Sequence, residues 1–271
     1  MPELPEVETT RRGLEPLLSG RTITAVKVHN RSLRWPVPHD LTHLLPGQTV
    51  QAVERRSKYL LLRCTAGTLL VHLGMTGHLR VVPAVEPLRK HDHVELLLDD
   101  GRALRFNDAR RFGAMLWTGD DPLAHPLLRE LGPEPFAAAF DAASLHRRAH
   151  GRRVAVKPFL MDARTVVGVG NIYASEALFR AGIDPRRPAG QISAARYARL
   201  VTAVRVVLTE AIAAGGTTIR DFADSSGQPG YFRISLRVYD RGGEPCVACG
   251  TRIRLVRLGQ RSTYFCPRCQ R

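Results

Sequence analysis

The stretch Cys246-Val247-Ala248-Cys249, followed after sixteen residues by Cys266-Pro267-Arg268-Cys269, decides how the end of this chain folds. Two Cys-x2-Cys knuckles at this separation have the spacing of a four-thiolate zinc ribbon, each knuckle turning two thiolates toward one ion. The residues between them can form a hairpin: Arg252–Arg257 alternates basic and apolar side chains, Leu258-Gly259-Gln260 can turn, and Arg261–Phe265 returns. Four thiolates leave no open coordination position, so the spacing predicts one structural Zn2+ holding a module that lacks a core of its own. Two disulfides or free thiols are the competing readings, and they suit a cytoplasmic chain less well. At the hairpin tip Arg261 stands beside Gln260 and Ser262, a group suited to a phosphate or groove contact. The fifth cysteine, Cys64, lies in an apolar run and reads as a small buried residue rather than a reactive thiol.

The basic character of this segment extends to the whole chain. Residues 231–271 hold nine Arg and only two acids, Asp240 and Glu244, and the 271 residues together carry a formal charge of +15. That balance favours a polyanionic partner, most simply nucleic acid. No apolar run reaches the roughly 20 residues of a spanning helix. Glu and Arg occupy the start, where a signal peptide needs an apolar stretch, so a cytoplasmic protein is expected.

Toward the N-terminus the pattern is helix, then strands. Residues 5–18 read as a helix with Pro5 in its first turn, Glu6 and Glu8 at its positive end, and Val7, Leu14, Leu17 and Leu18 on one face. Thr22–His29 and Thr49–Arg55 alternate as strands. Tyr59–Arg63 and Thr68–Leu73 form a hairpin over Ala66-Gly67, His93–Leu98 and Ala103–Phe106 another over Asp99-Asp100-Gly101, and Ala114–Trp117 is a further strand. Residues 20–118 therefore predict a β-sandwich or barrel built on the preceding helix. From Pro122 the pattern becomes helical, at 123–130, 141–150, 171–181 and 193–214, after which short strands return. The expected class is α+β. The expected division is 1–130, a linker at 131–136 containing Leu131-Gly132-Pro133-Glu134-Pro135, a helical domain with a loop at 137–231, and a zinc module at 232–271. Asn171, after the Gly-rich turn Val166–Gly170, can cap a helix and set backbone amides toward a phosphate, although a GxG before a helix is also ordinary capping.

The chain opens Met1-Pro2-Glu3-Leu4-Pro5-Glu6. Once Met1 is removed, Pro2 carries a secondary amine, and an amine that adds to a carbonyl-like carbon gives an iminium ion. An α-amino group has a pKa near ~8, so roughly a tenth is neutral at pH 7, about two orders of magnitude more than for a lysine near ~10.4. Glu3 and Glu6 put two carboxylates beside it. Alone, Pro2 reads better as an ordinary residue near a helix start, since many chains begin Met-Pro.

The motifs then converge. Met1–Thr9 resembles the N-terminus of the bacterial formamidopyrimidine-DNA glycosylase (8-oxoguanine DNA glycosylase) family. Further resemblances follow in order: Ser57-Lys58-Tyr59, His72–Gly77, Lys90-His91-Asp92-His93, Arg110-Arg111-Phe112-Gly113, Lys157–Asp162, Val167–Tyr173, Gly215–Thr218, Gly230-Tyr231-Phe232 and the four-cysteine tail. The resemblance implies an N-terminal helix and β-sandwich, a helix–two-turns–helix domain and a zinc finger. It implies a bacterial, nucleoid-associated, monomeric base-excision repair enzyme that removes oxidised purines from double-stranded DNA and cuts the strand by β,δ-elimination. Carried onto this chain, Pro2 is the nucleophile, Glu3 acts on the sugar ring oxygen, Glu6 supports, and Lys58 grips the phosphate beside the lesion. Only four of the forty basic residues are Lys, which gives Lys58 some independent weight. By the same resemblance Met75 fills the void left by the extruded base, Arg110 faces the estranged base, and Phe112 wedges the opposite strand. His91, Asn171 and Arg261 contact DNA, and Thr217, Thr218 and Tyr231 enclose the everted base. The chain departs from the family's common pattern at Ala109, where Pro is usual, and at Gln228, where many members have Lys. The alternatives are an endonuclease VIII-like enzyme for oxidised pyrimidines, against which Leu4, Met75 and the Arg110/Phe112 pair argue, and a non-catalytic zinc-ribbon DNA-binding protein, which leaves Pro2, Glu3 and Lys58 unexplained.

Overall fold

In the computed structural model, which describes residues 2–215 and 236–271, the chain begins with helix α1 (Leu4–Leu18). Pro5 lies in its first turn, where a missing N–H leaves no bond unmade, and the Glu3 amide donates to Glu6 Oε2 at 2.7 Å. Val7, Leu14 and Leu18 are buried as the periodicity requires; Leu17 is only half-buried. There follow β1 (Ile23–Val28), α2 (Leu41–Leu44), β2 (Val50–Arg56), β3 (Tyr59–Cys64), β4 (Gly67–His72), β5 (His78–Pro83), β6 (Asp92–Leu98), β7 (Arg102–Asn107) and β8 (Ala114–Thr118).

These strands make two four-stranded antiparallel sheets, ordered β1-β6-β7-β5 and β2-β3-β4-β8. One core joins them: Leu60, Leu62, Leu69 and Val71 from the second sheet pack with Val94, Leu96, Leu104 and Phe106 from the first, closed by Leu14 and Leu18 of α1. Each such buried side chain contributes about 2 kcal/mol. The expectation of a sandwich on a preceding helix holds.

Strand β5 was not legible because Arg80 interrupts its apolar pattern. Arg80 is nonetheless buried, since its guanidinium meets Asp92 at 3.1 Å and Glu86 at 3.3 Å. Burial opposes the charge on Asp92, but bonds from Asn107, the Arg89 amide and Arg80 hold its carboxyl below the usual range. The helix expected at 123–130 is absent: only a 3-10 turn, Pro122–Ala124, forms. Pro126 removes an amide donor and disfavours helical backbone at His125.

The described residues divide into two compact units, 2–129 with 215, and 130–214 with 236–271. The second contains α3 (Ala142–Ala149), α4 (Val156–Met161), α5 (Asn171–Ala181) and α6 (Ala194–Ala213). Asp141 and Ser193 cap α3 and α6 by accepting from Ser144 N and Arg196 N. The short α4, with Pro158 inside it, left no periodic signal. The hairpin β9 (Arg254–Leu258) and β10 (Arg261–Phe265) turns at Gly259-Gln260, both left-handed (φ 52° and 62°), as a two-residue hairpin turn demands. Buried Glu176 of α5 accepts from the amides of Arg237, Val238 and Tyr239 at 2.9–3.0 Å, which ties the ribbon to the helices.

Candidate functional site: a helix start and two adjoining turns in one unit, a buried lysine and a four-cysteine centre in the other

In the first unit, Pro2, Glu3 and Glu6 are all buried at the start of α1. Lys58 sits half-buried on the tight β2–β3 turn, in which Arg56 pairs with Tyr59 and Ser57 is left-handed (φ 58°). Arg55 links these two places. Its Nε donates to Glu8 Oε2 at 3.0 Å, and its terminal nitrogen donates to Ser57 O at 3.1 Å. Burial would raise the Glu8 carboxyl, but bonds from Arg11, Arg55 and Arg12 outweigh it and hold the group ionised. The bridging role of Arg55 had no signal in the sequence beyond an Arg in an alternating strand.

His72 ends β4 beside this turn. Burial, with the charges of Lys58 and Arg34 adding to it, lowers its pKa to about 4 against the opposing pull of Asp108. The ring is therefore neutral near pH 7. Its Nδ1 accepts from the Gly74 amide at 3.1 Å, so the proton resides on Nε2.

Met75, Arg110 and Phe112 come together on two adjoining turns. Gly74 is left-handed (φ 64°), and a Cβ there would lie 2.4–2.6 Å from the backbone of Phe112 and Gly113. Only glycine lets the Met75 turn approach so closely. Asp108, fully buried, clamps the pair: it accepts from Thr76 Oγ1 at 2.6 Å and from Gly113 N at 2.8 Å, while Thr76 Oγ1 accepts from Arg110 N at 3.1 Å. Met75 is half-buried, Phe112 is 43% exposed, and the Arg110 guanidinium lies 4.8 Å from the Phe112 ring centroid. An exposed aromatic stacked with a cation beside a flexible thioether is suited to entering a base stack. Half-buried His91 belongs to the same cluster: it is left-handed (φ 74°), and its carbonyl accepts from Asp108 N at 3.1 Å. Asp108 and Gly74, which organise this cluster, were not singled out from the sequence.

In the second unit Asn171 does not cap α5. Gly170 is the cap residue and Asn171 is the first helical residue. Its side chain is engaged instead by Lys157, the only lysine of this unit. The buried Lys157 ammonium donates to Asn171 Oδ1 at 2.7 Å, Ser262 O at 3.0 Å and Thr263 Oγ1 at 3.0 Å. With the carboxamide oxygen held, Nδ2 remains as the donor of the half-buried Asn171, and Ser262 and Thr263 immediately follow the exposed Arg261. Thr217, Thr218 and Tyr231 lie outside the described residues.

The ligand atoms of Cys246, Cys249, Cys266 and Cys269 all lie within 4.8 Å of one another. Two of the separations, Cys246 to Cys269 and Cys249 to Cys266, are 3.9 and 3.5 Å. Tetrahedral Zn–S bonds of about 2.3 Å require sulfurs roughly 3.8 Å apart, so the set fits one structural zinc. Amides of Ala248 and Cys269 donate to the sulfurs of Cys246 and Cys266 at 3.4 Å, as thiolates require. Cys64 stands apart, its thiol pushed up to about 11 by burial, and is inert as expected.

Comparison with known proteins agrees along the chain. Residues 1–115 match the formamidopyrimidine-DNA glycosylase N-terminal domain, 131–223 the formamidopyrimidine-DNA glycosylase H2TH domain, and 243–271 the zinc finger found in FPG and IleRS. The formamidopyrimidine-DNA glycosylases of Stutzerimonas stutzeri and Alkalilimnicola ehrlichii are 61% and 60% identical, each over all of this chain and all of theirs. The MutM (FPG) crystal structure from Thermus thermophilus is 42% identical with a TM-score of 0.88, covering 99% of this chain and 98% of that one. A point mutant of the Lactococcus lactis FPG, in complex with a Fapy-dG containing DNA, is 32% identical with a TM-score of 0.92 over all of both chains. With full-length identity at this level and the cysteine centre in place, the chain belongs to the formamidopyrimidine-DNA glycosylase family.

Proposed function

We propose that this protein excises oxidised purines, 8-oxoguanine and formamidopyrimidines, from double-stranded DNA and then cleaves the abasic strand. The observation that carries the reading is the interlock of the Met75 and Phe112 turns in the same unit as Pro2, Glu3 and Lys58. A glycosylase must lift its target out of the stack, which costs a few kcal/mol, and side chains inserted in the gap stabilise that state. Met75 and Phe112 supply apolar wedges, and Arg110 supplies donors for the orphaned base.

In the proposed chemistry the neutral Pro2 amine attacks the sugar C1′. Buried Glu3 delivers a proton to the ring oxygen as the base departs, and the opened sugar is held as an iminium on Pro2. Loss of a C2′ proton then expels the 3′ phosphate, and a second elimination expels the 5′ phosphate. Glu6 fixes the Glu3 backbone next to the amine, and Lys58 balances phosphate charge. Asn171 and Arg261 grip the backbone, the zinc centre holding the Arg261 hairpin in shape. In this scheme the active form is a monomer whose first residue is Pro2, since an acylated proline nitrogen is no nucleophile.

Borohydride trapping on a duplex bearing 8-oxoguanine tests the reading, with intact mass confirming loss of Met1. The expected result is a covalent adduct at Pro2. Absence of an adduct eliminates the amine mechanism, and an adduct at Lys58 reassigns the nucleophile. Preferential trapping on oxidised pyrimidines would move the enzyme to the pyrimidine branch.

A further inference from the structure

Arg34 lies in the segment between β1 and α2, outside every motif used above. Many cations of the first unit have acid partners, and some do not. Scaffold arginines are held by acids: Arg11 and Arg55 by Glu8, Arg80 by Asp92, Arg105 by Glu95. Arg34, Lys58, Arg110 and Arg111, by contrast, have no carboxylate partner among the described residues. Lys90, Arg129 and the backbone-held Arg31 also lack one; outside the turns already described, Arg34 is singled out by its amide bond to Gly113 O, beside Phe112.

Its position is fixed rather than incidental. Leu33 and Val37 anchor the segment in the core, and the Arg31 guanidinium donates to Val37 O at 3.2 Å and Pro38 O at 2.8 Å. The Arg34 amide donates to Gly113 O at 3.2 Å, one residue beyond the wedge Phe112. The exposed guanidinium stacks 4.7 Å from the Trp35 ring centroid. Its charge acts on His72 together with that of Lys58, and also on Tyr59, whose ring centroid lies 4.8 Å from that of His72. A guanidinium held on an aromatic face loses little freedom on binding, and its planar fork matches a phosphate.

We propose that Arg34 is a further DNA-binding residue, gripping a backbone phosphate neighbouring the one held by Lys58. The assignment rests on the reading that duplex DNA occupies the face bearing Lys58 and Phe112. It gives the Arg34–Trp35 stack a use: the aromatic face orients the cation toward the strand that Phe112 enters.

The test is the salt dependence of lesion-duplex binding for the full chain with zinc bound. Wild type is expected to give a steep negative slope of log K against log salt. Arg34→Ala and Arg34→Gln should each reduce the magnitude of that slope by about 0.9, one released counterion, and weaken binding near physiological salt by roughly tenfold. Arg34→Lys, which keeps the charge, should retain the slope. Single-turnover cleavage at saturating enzyme should stay within about twofold of wild type, because a phosphate contact positions without entering the chemistry. An unchanged slope in both neutral variants overturns the assignment. So does a reduced slope in Arg34→Ala alone, since Gln keeps a stem over Trp35 and the loss would then be one of packing. If wild type is neither trapped by borohydride nor salt-dependent, the functional reading itself fails and this assignment with it.

Discussion

The ammonium of Lys157 and the carboxamide oxygen of Asn171 lie 2.7 Å apart inside the second unit, and the same ammonium reaches the hairpin that carries Arg261. One buried charge thus sets two surface groups. Lys157→Met keeps the bulk and removes the donors, leaving three acceptors to find other partners. The expected loss of stability is about 2–4 kcal/mol by urea unfolding. Asn171→Asp separates fold from function: a carboxylate beside Lys157 is well accommodated, but it faces phosphate with the wrong charge. Stability should hold while DNA affinity falls at least about tenfold. Equal losses in both measurements would refute the division.

Gly74→Ala should fail on two counts, since its left-handed φ of 64° disfavours any side chain and the new Cβ meets the Phe112 backbone. An expected cost of about 2–4 kcal/mol in thermal or chemical unfolding checks the first count. The second is kinetic: separation of the two turns should slow base extrusion, read from 2-aminopurine fluorescence. Met75→Ala should slow the same signal with little effect on nonspecific binding, because the loss is confined to filling the gap.

His72 gives a pH dependence with a definite sign. Burial, Lys58 and Arg34 depress its folded pKa to about 4, against about 6.5 when unfolded. Its contribution is therefore fully present above about pH 6.5 and is lost as the pH falls through 4, by at most about 3 kcal/mol. Imidazole titration by NMR should find His72 neutral at pH 6. Its pKa should rise in Arg34→Ala, where one of the two cations is gone.

Zinc analysis should find one ion per chain. Chelation should abolish DNA binding while the β-sandwich still unfolds cooperatively, because the cysteine centre and the sandwich belong to different units. Zinc retention should also weaken at acid pH, where protons compete for the thiolates. Full affinity in metal-free protein would remove the hairpin from the DNA grip.

What could be read from residue order was whatever local chemistry dictates. The cysteine spacing gave the ribbon, the turn residues gave most strands, and Pro5 with Glu6 marked the start of α1. What escaped depended on partners distant in sequence. Arg80 disguised β5 because Asp92, twelve residues on, makes its burial tolerable. Lys157 gave no local sign of being the support for Asn171, and Asn171 passed for a cap although Gly170 takes that position. Asp108 stands two residues before Arg110, yet its clamp on Thr76 spans thirty-two residues. Family resemblance singled out Met75, Arg110 and Phe112 without giving the reason they stand together.

The contact at Gly74 bears on heredity. With backbone pressed against backbone, the turn carrying Met75 and the turn carrying Phe112 form a single unit of variation. A substitution lengthening or bending either one is viable only with a matched change in the other. Variation in either turn should accordingly arise by paired replacement of both, and a chimaera that exchanges one of them alone should fold poorly whatever the quality of its donor.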